Sequence, residues 1–132
     1  MTHRTVFSTV NLADVHAVTM TAKRWFNRGD GNTYHSVYVS VLVPVERANE
    51  LVANVYNRPL EDGTVWIDLA QDTFQYGYER CFDQTALALF DAACTYPVPD
   101  CGTLSRFCRE HDIPVSENLA DVKRCLLYTS PS

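Results

Sequence analysis

One stretch constrains the chain more than any other. Between His16 and Val43, two runs of alternating residues flank a concentrated set of turn formers. In the first run Val18, Met20 and Ala22 alternate with Thr19, Thr21 and Lys23. In the second, Val37, Val39, Val41 and Val43 alternate with Ser36, Tyr38 and Ser40, with Tyr34 ahead of them. A period of two puts each set on one face of a strand. Between the runs, Asn27-Arg28-Gly29-Asp30-Gly31-Asn32 supplies residues that accept the positive φ of a tight reversal. The segment therefore reads as a β-hairpin. Its register follows as well, because a slip of one residue would carry an apolar set to the wrong face. Ala22 then pairs with Val37, Met20 with Val39 and Val18 with Val41, and the opposite face shows Trp25 beside Tyr34, Lys23 beside Ser36 and Thr21 beside Tyr38.

Around the hairpin the signals are shorter. Met1 to Asp14 reads as a lead-in with a first edge strand, and Pro44 ends the second hairpin strand. Val45, Ala48, Leu51, Val52 and Val55 recur at helical spacing, and Thr64 to Leu69 reads as a third strand. Asp72 to Tyr78, aromatic and glycine-containing, reads as an ordered loop that lids the core, the alternative being that Phe74-Gln75-Tyr76-Gly77-Tyr78 presents aromatics to a protein partner. Phe82, Ala86, Leu89, Phe90 and Ala93 form an apolar stripe over Glu79 to Cys94, the best helix in the chain, placed on the hairpin's apolar face. Thr103 is positioned to cap a further helix through Glu110. Ile113 to Val115 is extended, and a last turn from Ser116 or Asn118 packs Leu119 and Val122. The expected fold is α+β: a two-layer arrangement of an antiparallel sheet built on the hairpin, packed against a long helix, with small C-terminal helices.

Charge and length narrow the function classes. The chain has 132 residues with 11 Lys and Arg against 16 Asp and Glu, a formal net charge of −5. That balance argues against coating nucleic acid by bulk charge, which needs a basic surface or stripe. No run approaches the roughly 20 apolar residues of a membrane-spanning helix, and no export signal precedes Val10, so no membrane partner and a cytoplasmic setting are expected. Among the five cysteines, Cys94, Cys101, Cys108 and His111 have ligand types suited to zinc. Their C-x6-C-x6-C-x2-H spacing lacks the tight knuckle of recognisable zinc sites, so they are weak metal candidates and no cofactor is expected. Cys81 and Cys108 fit small buried hydrophobes on helix faces. The four histidines show no pattern that would partner a nucleophile, and no phosphate-cradling loop or nucleophile elbow appears. No catalytic residue is assigned, so a non-enzymatic protein is expected.

The constellation with most chemical content lies near the hairpin tip: Lys23, Arg24, Trp25, Arg28, Asn32, Tyr34 and His35, with Tyr38 further along the same strand. Aromatics on a sheet stack bases while Lys and Arg meet phosphates. The structural alternative is an ordinary cross-strand Trp25–Tyr34 pair, worth about 0.2–1 kcal/mol.

The runs Lys23-Arg24-Trp25-Phe26 and Gly31-Asn32-Thr33-Tyr34-His35-Ser36-Val37 carry a family likeness, with Tyr76-Gly77-Tyr78 ahead of a helix, Phe107-Cys108-Arg109-Glu110 and Asp121-Val122-Lys123-Arg124. Together they resemble small proteins encoded by tailed bacteriophages, which have no established activity to carry over. The resemblance implies a phage or prophage origin and a setting in the host cytoplasm, and against it Val45 to Asp62 looks like an insertion. The strand-strand-strand-helix order is also similar to that of double-stranded RNA-binding domains, but the long helix begins Glu79-Arg80, contains Asp83 and Asp91, and lacks the lysine cluster that would meet phosphates at its N-terminal end, so only topology is shared. Cys125-Leu126-Leu127-Tyr128-Thr129-Ser130-Pro131-Ser132 resembles a translated transposase-type sequencing adapter from a metagenomic assembly. Residues 1–124 are therefore expected to form one α+β domain, with 125–132 a non-native tail. The expected function is a phage accessory protein that binds a macromolecule through the hairpin face, with single-stranded nucleic acid slightly favoured. The alternatives are an acidic module that docks on a host or phage protein, such as a defence-system inhibitor, and a third class of enzyme or zinc-binding domain.

Overall fold

The computed structural model describes residues 4–29, 31–51, 60–77, 80–94 and 102–121. Along the chain run β1 (Arg4–Val6), a 3-10 turn (Leu12–Asp14), β2 (Ala17–Asn27), β3 (Asn32–Pro44), α1 (Val45–Leu51), β4 (Thr64–Tyr76), α2 (Cys81–Ala93), α3 (Leu104–Glu110) and β5 (Val115–Asp121). The five strands form one sheet in the order β1-β4-β3-β2-β5. The chain is thus α+β, with its helices packed on the sheet.

The hairpin has the expected register: Ala22 faces Val37, Met20 faces Val39, Val18 faces Val41 and Trp25 faces Tyr34. Val18, Met20, Ala22, Val37, Val39, Val41 and Val43 are all buried, which is the constraint that selects this register over its neighbours. The turn is held by Asn27, whose side-chain oxygen accepts from the Gly29 N–H at 2.8 Å and whose carbonyl accepts from Gly31 at 2.9 Å. Gly31 adopts φ 72° there, a conformation in which a Cβ is strained.

Four expectations are corrected. The sheet is mixed rather than antiparallel, because β5 runs parallel to β2 from Val18↔Val115 to Arg24↔Asp121. The segment expected to turn and pack Leu119 is this strand, and Leu119 is 37% exposed; Val122 lies outside the described residues. Most of the expected loop at 72–78 is instead strand, because β4 continues to Tyr76; Tyr78 lies outside the described residues. Finally, α2 has 13 residues and packs mainly on β3 and β4, not centrally over the hairpin.

Two bulges explain the length of β4. Its register against β3 shifts between Val39 and Ser40, where Leu69 is extra, and between His35 and Val37, opposite Thr73 and Phe74. Each extra residue reverses which face the following side chains occupy. Asp72 and Ala70 consequently lie on the helix side with Val37 and Val39, whereas Asp68 pairs with Ser40 on the other side.

The core lies between the sheet and the helices. From α2 it takes Phe82, Ala86, Leu89, Phe90 and Ala93, and from α3 Leu104, Phe107 and Cys108. Phe90 meets Phe107 with ring centroids 5.5 Å apart. The N-terminus of α3 is capped twice. Thr103 Oγ1 accepts from the Arg106 N–H at 3.2 Å, and the buried Asp83 of α2 accepts from the Ser105 N–H at 3.0 Å and from its hydroxyl at 2.7 Å. Two otherwise orphaned backbone donors are satisfied in this way.

Candidate functional site

The sheet face turned away from the core is where the polar alternation of the hairpin falls. From the tip inwards it carries Trp25 and Tyr34, then Lys23 and Ser36, then Thr21 and Tyr38, then Thr19 and Ser40. On β4, Gln71 stands opposite Tyr38, Asp68 opposite Ser40 and Trp66 opposite Leu42. At the tip three rings form a continuous surface. Tyr34 and Phe74 are 4.6 Å apart, Trp25 and Phe74 stack at 6.0 Å, and Trp25 and Tyr34 lie at 6.4 Å. Phe74 remains 38% exposed. Nearer the middle, the Tyr38 hydroxyl donates to Asp68, while Ser40 bonds to Tyr38. Burial and the Asp68 carboxylate push the phenol up to about 12, so Tyr38 keeps its proton at any physiological pH.

Of the residues expected to form the site, Lys23, Trp25, Tyr34 and Tyr38 share this face. Arg28 is exposed in the turn, and Asn32 closes the hairpin opposite Asn27. Arg24 and His35 do not belong to the face. They pair with each other in register and alternation sends both to the helix side. There the Arg24 guanidinium makes a forked contact with Asp121, Nε to Oδ1 at 2.7 Å and Nη2 to Oδ2 at 3.0 Å, which holds that carboxyl below its usual range. Phe74, expected in a separate loop, joins Trp25 and Tyr34 on this face, because the bulge that turns it there leaves no mark in the alternation pattern.

His35 is 1% exposed. Its Nδ1 lies 3.3 Å from the Gly77 carbonyl and its Nε2 2.7 Å from Thr85 Oγ1. A carbonyl can only accept, so Nδ1 carries the hydrogen and Nε2 accepts from the Thr85 hydroxyl. Burial lowers the His35 pKa, against the opposing pull of the Gly77 carbonyl and Asp72. Asp72 is itself buried, accepting from the Phe74 N–H at 3.2 Å and from Gln75 Nε2 at 2.8 Å. Cys81, the first residue of α2, approaches Gly77 from the other side: a Cβ on Gly77 would sit 3.2 Å from Cys81 Sγ and 3.1 Å from His35 Cε1. Thiol and imidazole are thus neighbours, but both ring nitrogens already have partners.

The weak metal candidates do not converge on one point among the described residues. Cys108 is buried in the core, Cys94 ends α2 beside Val10, and His111 donates from Nδ1 to the Phe107 carbonyl at 3.0 Å. Cys101 lies outside the described residues. Among the described residues no three His, Cys, Asp or Glu side chains converge as metal ligands. Arg80, Cys81, Gln84, Thr103, Ser105 and Arg109 line an open cleft of about 580 Å³, which also touches Asp83. The Arg80 guanidinium there is bound to Glu117 at 2.6 Å and to Asp83 at 3.0 Å. No described helix is long and apolar enough to cross a membrane.

No protein-family model, curated protein or solved structure matches the chain. The functional reading rests on the site itself.

Proposed function

We propose that the protein binds single-stranded nucleic acid on the open face of its sheet, as an accessory factor in the cytoplasm rather than as an enzyme. The observation that carries this reading is the contact surface of Trp25, Tyr34 and Phe74 on the face opposite the helices, with Lys23 in the next row. Sheets that present aromatics in this way hold splayed bases by stacking, at about 1–3 kcal/mol per base.

The charges shape the expected mode of binding. Arg24 is committed to Asp121, which leaves Lys23 and Arg28 as the candidate phosphate contacts among the residues at the hairpin end. Two such contacts give a slope of log affinity against log salt of only about −1.4 for a single strand. Stacking, not counterion release, is then the main source of affinity. The test is fluorescence anisotropy with labelled single-stranded and duplex DNA and RNA over a range of salt. Single strands should bind in preference to duplexes with this shallow slope, and Trp25→Ala should weaken them about tenfold or more. A steep slope that survives Trp25→Ala would put binding elsewhere. Absence of binding at low salt would return the three rings to a structural role, and the net charge of −5 would then favour a basic protein as the partner.

A further inference from the structure

The middle of the open face carries a carboxylate where a nucleic-acid platform would be expected to carry a cation. Asp68 stands on β4 opposite Ser40 and is exposed. It accepts from the Tyr38 hydroxyl, which is in turn bonded to Ser40. Asp68 takes part in no ion pair among the described residues. The carboxylate is therefore oriented by a neighbour and able to accept more hydrogen bonds than Tyr38 supplies, since a carboxylate group offers about four acceptor positions.

What can sit against such a group follows from charge and donor geometry. A phosphate is repelled, so the strand's backbone must run along the Lys23 side with its bases turned towards Asp68. Thymine and uracil offer one ring N–H between two carbonyl oxygens, which face the carboxylate unfavourably. Adenine and cytosine offer one amino group beside a ring nitrogen that is an acceptor. Guanine alone presents two parallel donors, N1–H and N2–H, on its Watson–Crick edge, and these match the two carboxylate oxygens as an arginine fork does. We infer that Asp68 is a base-reading residue that selects guanine in the strand bound on this face, an inference that rests on the nucleic-acid reading above. Asp68 lies six residues along β3 from the aromatic tip, roughly 20 Å at the rise of a strand. The selected guanine is thus separated from the stacked bases by intervening nucleotides that lie across Tyr38.

The experiment uses the full chain and 5′-labelled thymine hexamers that carry one guanine, adenine or cytosine at each position in turn, with anisotropy as the readout. One guanine position should bind about tenfold more tightly than the all-thymine hexamer, and adenine or cytosine there should give no such gain. Asp68→Asn should reduce the guanine preference, read as the ratio of guanine-hexamer to all-thymine affinity in the same variant, to less than twofold. A thermal melt of this surface variant shows that it is folded. If all hexamers bind wild type equally and Trp25→Ala weakens them all, the inference is overturned and the nucleic-acid reading stands. A guanine preference that Asp68→Asn leaves intact also overturns it. If no hexamer binds, both fall.

Discussion

His35 shows how much one buried ring can imply. Its neutral form, with the hydrogen on Nδ1, satisfies both the Gly77 carbonyl and the Thr85 hydroxyl, and burial holds its pKa below the ordinary 6.5. The unfolded chain therefore takes up a proton more readily than the folded one. His35's contribution to stability is complete above about pH 6.5 and is lost as the pH falls through the window below it. Melting temperature should drop between pH 7 and pH 5 more steeply for wild type than for His35→Gln. Glu117 and Asp121, whose pKa values are lowered by Arg80 and Arg24, act below that window. Equal slopes would mean that His35 is not the titrating group. Beside it, Gly77 has φ 154°, and a Cβ there would lie 2.6 Å from Cys81 Cβ. Gly77→Ala should accordingly cost about 1–3 kcal/mol in urea unfolding, whereas a cost below ~0.5 kcal/mol would show that α2 shifts freely.

At the level of elements, α3 depends on a residue of α2. Asp83 is buried and its carboxylate accepts from the Ser105 backbone, the Ser105 hydroxyl and Arg80. Asp83→Ala strands the two Ser105 donors, while Arg80 keeps Glu117, and should destabilise the protein by about 2–4 kcal/mol in chemical denaturation, with Ser105→Ala costing less because the backbone bond survives. A neutral Asp83→Ala would mean that water replaces the carboxylate. The same scale explains what the sequence shows and hides. The hairpin and α2 are legible because uninterrupted periods of two and 3.6 leave a single acceptable burial pattern. The far half of β4 is not, because Leu69 and Ala70 are buried in succession and the bulges break the alternation that identifies a strand. β5 is hidden for a different reason. Val-Ser-Glu-Asn-Leu-Ala-Asp presents few apolar residues, and its place is fixed by pairing with β2 and by the Arg24–Asp121 and Arg80–Glu117 contacts, none of them local in sequence.

For the molecule as a whole, the sheet order sets a gradient of stability. β3 is central, paired along its length with β2 and β4, whereas β1 is three residues long and β5 has one pairing partner. Amide hydrogen exchange should therefore be slowest in the middle of β3 and fastest in β1 and β5. Exchange from β5 as slow as from β3 would show that its far edge is covered. The candidate site was legible only in its hairpin half. Lys23, Trp25, Tyr34 and Tyr38 follow from alternation alone, but Phe74 and Asp68 follow from the two bulges.

Those bulges impose a rule of parity on the site. Removing an extra residue itself keeps the faces, since without Leu69 Asp68 still stands opposite Ser40 and Ala70 opposite Val39, whereas removing a paired residue such as Ile67 moves Trp66 and Val65 to the opposite faces. In relatives of this chain, β4 should tolerate many changes of side chain but very few changes of length. A single-codon deletion at a paired position would bring Trp66 to the core side and turn Val65 outward, whereas deletion of either extra residue would leave the stacking ring and the carboxylate on the open face.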